Sequence, residues 1–247
     1  MKSALLVSAL LSGVVGLGGL AAQRLGPPIL CHPISIGDAK SLPMDDNMLG
    51  RYDASKFVPD TLAILKANRD PLVHMETLRR ATMIIGDKKG PAADLLARLA
   101  CAALDQESAK TKDPLPWFDG GFLVACFNQS GMDLGFKPGV ADGVTGYAYI
   151  LKAIDLARAG KDPQAPGMEF GAALAAHPAM RNTEDRSDRD ARKSTYDGHL
   201  RRAVAGATPG SLLEQNLTSH LKTWGSSIEE VRRLNKDSGT ADARKPK

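Results

Sequence analysis

The strongest constraint on the fold is a recurring punctuation. Proline and glycine stand at the ends of apolar stripes whose residues recur every three or four positions. Asp70-Pro71 is one such start, because an aspartate accepts the free first-turn N–H groups and a proline at the first helical position lacks one. It predicts a helix from Pro71 to Ile85, with Leu72, Met75, Leu78, Thr82 and Ile85 on one face and Gly86 as the stop. Gly90-Pro91 restarts the pattern, and Leu95, Leu96, Leu99, Ala102 and Ala103 form the next stripe. Asp113-Pro114 with Pro116 opens a helix from about Trp117 to Gln129 that carries Phe118, Phe122, Cys126 and Phe127. The same reading gives helices over Val144–Ala159, Pro166–Ala176, Tyr196–Ala205 and Pro209–Trp224. A short helix capped by Asp60 or Thr61 precedes them, and a last amphipathic turn carries Ile228, Val231 and Leu234. No segment alternates as a strand would, and aromatics make up only 5% of the chain. The expected class is all-α, built of antiparallel helix pairs. Gly120-Gly121, inside a helix, points to a close approach by another helix rather than to chemistry.

The rhythm of pairs resembles that of tetratricopeptide repeats. Trp117 and Gly121 have the spacing of that family's early Trp and Gly, whereas Gly120, Val124, Asp133 and Lys137 depart from its pattern. The resemblance implies an irregular helical-repeat array and carries over no binding residue.

The ends of the chain read differently. Residues 1–22 hold a lysine, the apolar run Ala4–Leu20 and small residues at Gly19 and Ala21, which is the pattern of an export signal cleaved after Ala21. An uncleaved membrane anchor is the competing reading, since the run approaches the roughly 17–25 residues of a span. Residues 23–57 contain Pro27, Pro28, Pro33 and Pro43, so an extended lead-in is expected, with a short helix near Gly37–Ser41. A single helical domain then covers 58–235. Residues 181–194 lack an apolar anchor and read as a mobile charged loop, and 236–247 as a disordered tail.

Few residue patterns carry chemistry. Within the lead-in, Cys31-His32 sets a soft ligand beside a borderline one, a candidate corner of a zinc or copper site with Asp38 and Lys40 nearby. The other histidines, His74, His177, His199 and His220, fall one to a segment, and a packed structural His32 is the competing reading. Cys101 and Cys126 lie in consecutive expected helices, where a disulfide would staple the pair. A bridge from Cys31 to either would pin the lead-in to the core, and unpaired buried thiols are the leading reading. Asn216 and His220 share a helix face with Leu213 and Leu217 and read as a core or interface pair. Nucleophile elbows and phosphate-binding glycine loops are missing, so no cofactor is expected.

A net charge of +4, from 32 basic and 28 acidic residues without a basic block, points away from nucleic acid. The expectation is an exported helical scaffold or binding module, periplasmic or extracellular, whose partner is another protein. Two alternatives accompany it. One is an enzyme or metal-binding protein with its site where the Cys31-His32 lead-in meets the helices. The other is a partner protein tethered to a membrane by residues 1–22.

Overall fold

The computed structural model describes residues 28–44, 52–86, 88–108, 112–130, 146–177 and 186–242. Among them the chain is all-α, with nine helices and no strand: α1 (Ala54–Ala67), α2 (Pro71–Ile85), α3 (Lys89–Ser108), α4 (Leu115–Ser130), α5 (Gly146–Ala159), α6 (Ala165–Ala176), α7 (Arg186–Gly206), α8 (Leu212–Thr223) and α9 (Ile228–Asp242). The helix ends follow the expected punctuation where a side chain completes it. Asp70 accepts from the Leu72 amide with Pro71 behind it, and Gly86 closes α2 at φ 57°. α8 begins at Leu212 and not at the expected Pro209, because Ser211, accepting from the Glu214 amide, and Glu214, accepting from the Gly210 amide, form a reciprocal cap there.

Three helices make the centre. α2, α4 and α6 pack on one another, and most of their residues are buried all the way round. That is why α4 and α6 show almost no amphipathic stripe in sequence. Each central helix carries one buried carboxylate: Glu76, Asp119 and Glu169. α3 and α5 flank α4, and α7 lies along α6. Because α4 touches α2, α3, α5 and α6, the arrangement departs from a repeat array, in which each unit meets only its sequence neighbours. At the α4–α5 contact the two backbones meet at Gly121 and Gly146, where a Cβ on Gly121 would lie 2.5 Å from the Gly146 carbonyl oxygen.

The lead-in is part of this core. Ile29, Ile34, Ile36 and Leu42 are buried, and its backbone polar groups are met by side chains of three helices, α2, α4 and α8. Gln129 of α4 accepts from the Ile29 amide at 2.8 Å. Glu76 of α2 accepts from the Ile34 amide at 3.0 Å, while Arg79 and Arg80 donate to the Leu30 and Leu42 carbonyls. Asn216 of α8 accepts from the Ser35 amide at 2.7 Å and donates to the Ser35 carbonyl at 2.8 Å. α6 joins through the Leu174 carbonyl, which accepts from Gln129. The chain then turns at Gly37, with φ 59° and Leu212 packed beneath it, where a short helix was expected. Ile34→Asp and Ile36→Asp should each lower stability by at least part of the roughly 1.5–3 kcal/mol that burying such a side chain contributes. Thermal melting checks this, and unchanged melting in both variants would show that the strap lies outside the core.

Four other boundaries differ from the sequence reading. α1 begins at Ala54, because Asp53 accepts from the Ser55 amide and supplies an earlier cap. α3 begins at Lys89 and runs to Ser108. The charged run is helical from Arg186 onward, with Lys193 pairing with Asp197 across one turn at 2.6 Å, where a mobile loop was expected, and residues 181–185 of that expected loop lie outside those described. α9 continues to Asp242, well into the expected tail. The export signal or anchor also falls outside the described residues. Among the described residues no helix is long and apolar enough to cross a membrane.

Candidate functional site

Three polar clusters lie inside the protein, one at each central carboxylate, and a fourth holds imidazoles without one. The first is the Glu76 clamp. Glu76 is fully buried and accepts from Arg79 at 2.7 and 2.9 Å, from Arg80 at 2.7 Å and from the Ile34 amide. Burial pushes its carboxyl up, but these donors and the arginine charge outweigh it and hold the group below the usual glutamate range. Every contact of this carboxylate serves to fasten the lead-in to α2.

The second cluster joins α2 to α4. His74 Nδ1 lies 2.6 Å from Asp119 Oδ1, and Nε2 lies 3.1 Å from the Asn68 carbonyl oxygen. Both partners accept, so both ring nitrogens carry protons and the ring is an imidazolium. Burial works to lower its pKa, yet Asp119 and the Asn68 carbonyl carry it above the usual 6.5. With the folded value raised, this pair contributes fully below pH 6.5 and its contribution is lost as pH rises through the folded pKa. Asp119→Asn should therefore cost about 1–3 kcal/mol, the scale for a charge-assisted hydrogen bond, and flatten the alkaline side of the stability profile. Urea titrations across pH check this, and an unchanged alkaline slope would contradict it.

The third cluster ties α5, α6 and α7 together. Tyr147 O–H meets His199 Nε2 at 2.5 Å, and His199 Nδ1 meets Glu169 Oε2 at 2.6 Å. Arg202 also donates to Glu169 at 3.1 Å, and Arg158 donates to its other oxygen. The order phenol, imidazole, carboxylate has the form of a proton relay. Burial pushes the Tyr147 phenol up to about 12, so it stays protonated at neutral pH and donates to His199 instead of acting as a nucleophile. The relay closes on itself and joins three helices.

The fourth cluster sits where the lead-in meets α6, α7 and α8. His32, His177 and His220 gather around Trp224, with ring centroids 6.2, 4.1 and 6.3 Å from the indole. His177 and His220 are 5.8 Å apart, and Tyr196 O–H lies 2.9 Å from His220 Nε2. Phe170 packs edge-on against His220. His32 Nε2, His220 Nδ1 and Trp224 Nε1 are buried without a hydrogen-bond partner. These side chains come from segments far apart in sequence, and spacing alone could not group them. The available signal was the shared face of Asn216 and His220 on α8, which does turn toward the lead-in.

The remaining sequence candidates stand apart. Cys31, Asp38 and Lys40 are exposed, while His32 is half-buried. Among the described residues no three His, Cys, Asp or Glu side chains surround a common point as metal ligands would. The candidate pair Cys101 and Cys126 is not bridged in the structure. Cys101 is exposed on α3, whereas Cys126 is fully buried and its thiol bonds toward Thr82 of α2. Burial pushes the Cys126 thiol up to about 12, which leaves it unreactive.

Comparison with known proteins finds no matching family, no matching curated protein and no matching solved structure.

Proposed function

We propose that this protein is an exported helical binding module that works through its surface, with another protein as its partner. One observation carries the reading. The carboxylates of the central helices are taken up in joining helices and the lead-in, so the chemistry left open to solvent is that of the surface. The partner is recognised through charge, because Leu104 is the one exposed large hydrophobic among the described residues. An open recess of about 440 Å³ offers a place for it, where Arg69, Lys112 and Lys161 stand with Asp113 and Asp162. Arg69 already pairs with Asp113 at 3.2 Å, which leaves the two lysines to meet acidic side chains of a partner.

Crosslinking in intact cells from position 161 tests this. A discrete product that is lost in the Lys112→Glu/Lys161→Glu variant is expected, and no product, or one unaffected by the variant, would overturn the recess as the partner site. The export part of the reading is tested by the mature N-terminus. A chain starting at Ala22 supports it, and an intact N-terminus in the membrane fraction supports tethering by residues 1–22 instead.

A further inference from the structure

We propose that His32, His177 and His220 form an acid-opened latch, which fastens the lead-in to α6 and α8 at neutral pH and releases it on acidification. The geometry is that of an interface. His32 comes from the lead-in, with exposed Cys31 beside it, and His177 caps the end of α6. α7 contributes Tyr196, next to Asp197, and α8 contributes His220 and Trp224.

The rings are neutral there, and a second proton on His220 Nδ1 would find no hydrogen-bond partner. Burial first, then the neighbouring imidazoles, push His220 down to about 3, and burial with His32 pushes His177 down to about 4. Burial also lowers His32. The hydrogen bonding agrees with this state. Burial keeps the Tyr196 phenol protonated, and its bond to His220 Nε2 suits a neutral ring, while Nδ1 has no partner for a second proton. Protonating His220 would put a charge in a closed aromatic site beside two more imidazoles.

A histidine whose folded pKa is lowered contributes its stability above the unfolded value of 6.5, and loses it as pH falls from there toward the folded value. The other attachments of the lead-in hold through the upper part of this window. Glu76, which holds the lead-in to α2, titrates below its ordinary 4.5, and the His74–Asp119 pair that joins α2 to α4 beneath it is at full strength below 6.5. Acid therefore loosens the lead-in at one end only, around His32 and Ser35. Asn216, one turn before His220 on α8, grips both polar groups of Ser35 and loses its register when the latch opens.

Imidazole titration by NMR and amide exchange at Ser35, on the intact protein, test the latch together. His177 and His220 are expected to titrate well below 6.5. Protection of the Ser35 amide, after correction for intrinsic exchange, should fall by up to about tenfold per pH unit for each proton taken up, while Met75 in α2 keeps its protection. In the His177→Gln/His220→Gln variant, which leaves His32 as the one titrating ring of the latch, the fall at Ser35 should shrink to at most that of a single proton. The proposal is overturned if both imidazoles titrate near 6.5, if Ser35 is equally protected at neutral and mildly acidic pH, or if the variant retains the wild-type dependence. If that variant does not fold, the wild-type titration still decides.

Discussion

Glu76→Gln should lower the unfolding free energy by about 3–5 kcal/mol, the range for breaking a buried ion pair by removing one partner. The glutamine keeps the shape but leaves Arg79, itself buried, without a counter-charge. It also presents an amide N–H₂ where Arg79, Arg80 and the Ile34 amide all need acceptors. Arg80→Ala serves as the comparison, because Arg80 is a quarter exposed and water can replace part of what it does. Its cost should be clearly smaller. The clamp has an acid limit as well. With the Glu76 pKa lowered, its contribution is present above the ordinary 4.5 and is lost as pH falls through the folded value. Urea unfolding of both variants near neutral pH measures these effects. Equal costs for Glu76→Gln and Arg80→Ala would show that the carboxylate is not the centre of the clamp.

Gly121→Ala should cost about 3 kcal/mol, the upper end of the range for overpacking a tight core. The new methyl would lie 2.5 Å from the Gly146 carbonyl oxygen and 2.8 Å from the Ile150 amide nitrogen. Both are backbone atoms, so α4 and α5 must separate to admit it. The neighbouring glycine provides an internal control. A Cβ on Gly120 would meet the Tyr149 ring at 3.4 Å, an ordinary contact. Gly120→Ala should therefore be near neutral, or stabilising by up to about 1 kcal/mol through helix propensity. Adjacent residues in one helix thus have opposite expected outcomes, and denaturant melts of the two variants separate them. Similar effects at both positions would contradict the close α4–α5 contact.

Much of the helical frame was legible because its boundaries are set locally. Asp70-Pro71 and Gly86 fix both ends of α2 through contacts within a few residues. Gly120-Gly121 marked the close helix contact for the same reason, although only the structure shows that Gly121 alone makes it. The errors came where a local signal was subtle or the deciding contact was distant. Asp53 and Asp60 offer equivalent caps in sequence and only the former is used, while the charged start of α7 hides its one-turn ion pairing behind a composition that suggests a loop. The candidate sites were hardly legible at all. Asp119 and Glu169 are lone charges in otherwise apolar helices, a pattern that calls for a buried partner but cannot name it. His74 and His199 supply those partners from 45 and 30 residues away. The gathering of His32, His177 and His220 likewise depends on how the lead-in crosses the helices.

That crossing is the central structural claim, and amide exchange at Ile34 tests it most directly. The Ile34 amide donates to the fully buried Glu76 carboxylate, beneath a side chain that is 5% exposed. At neutral pH it should exchange only through global unfolding, with the same free energy and the same denaturant dependence as the amides of α2. An Ile34 amide that exchanges freely while α2 remains protected would contradict the account, because the lead-in would then lie on the helical core without being part of it.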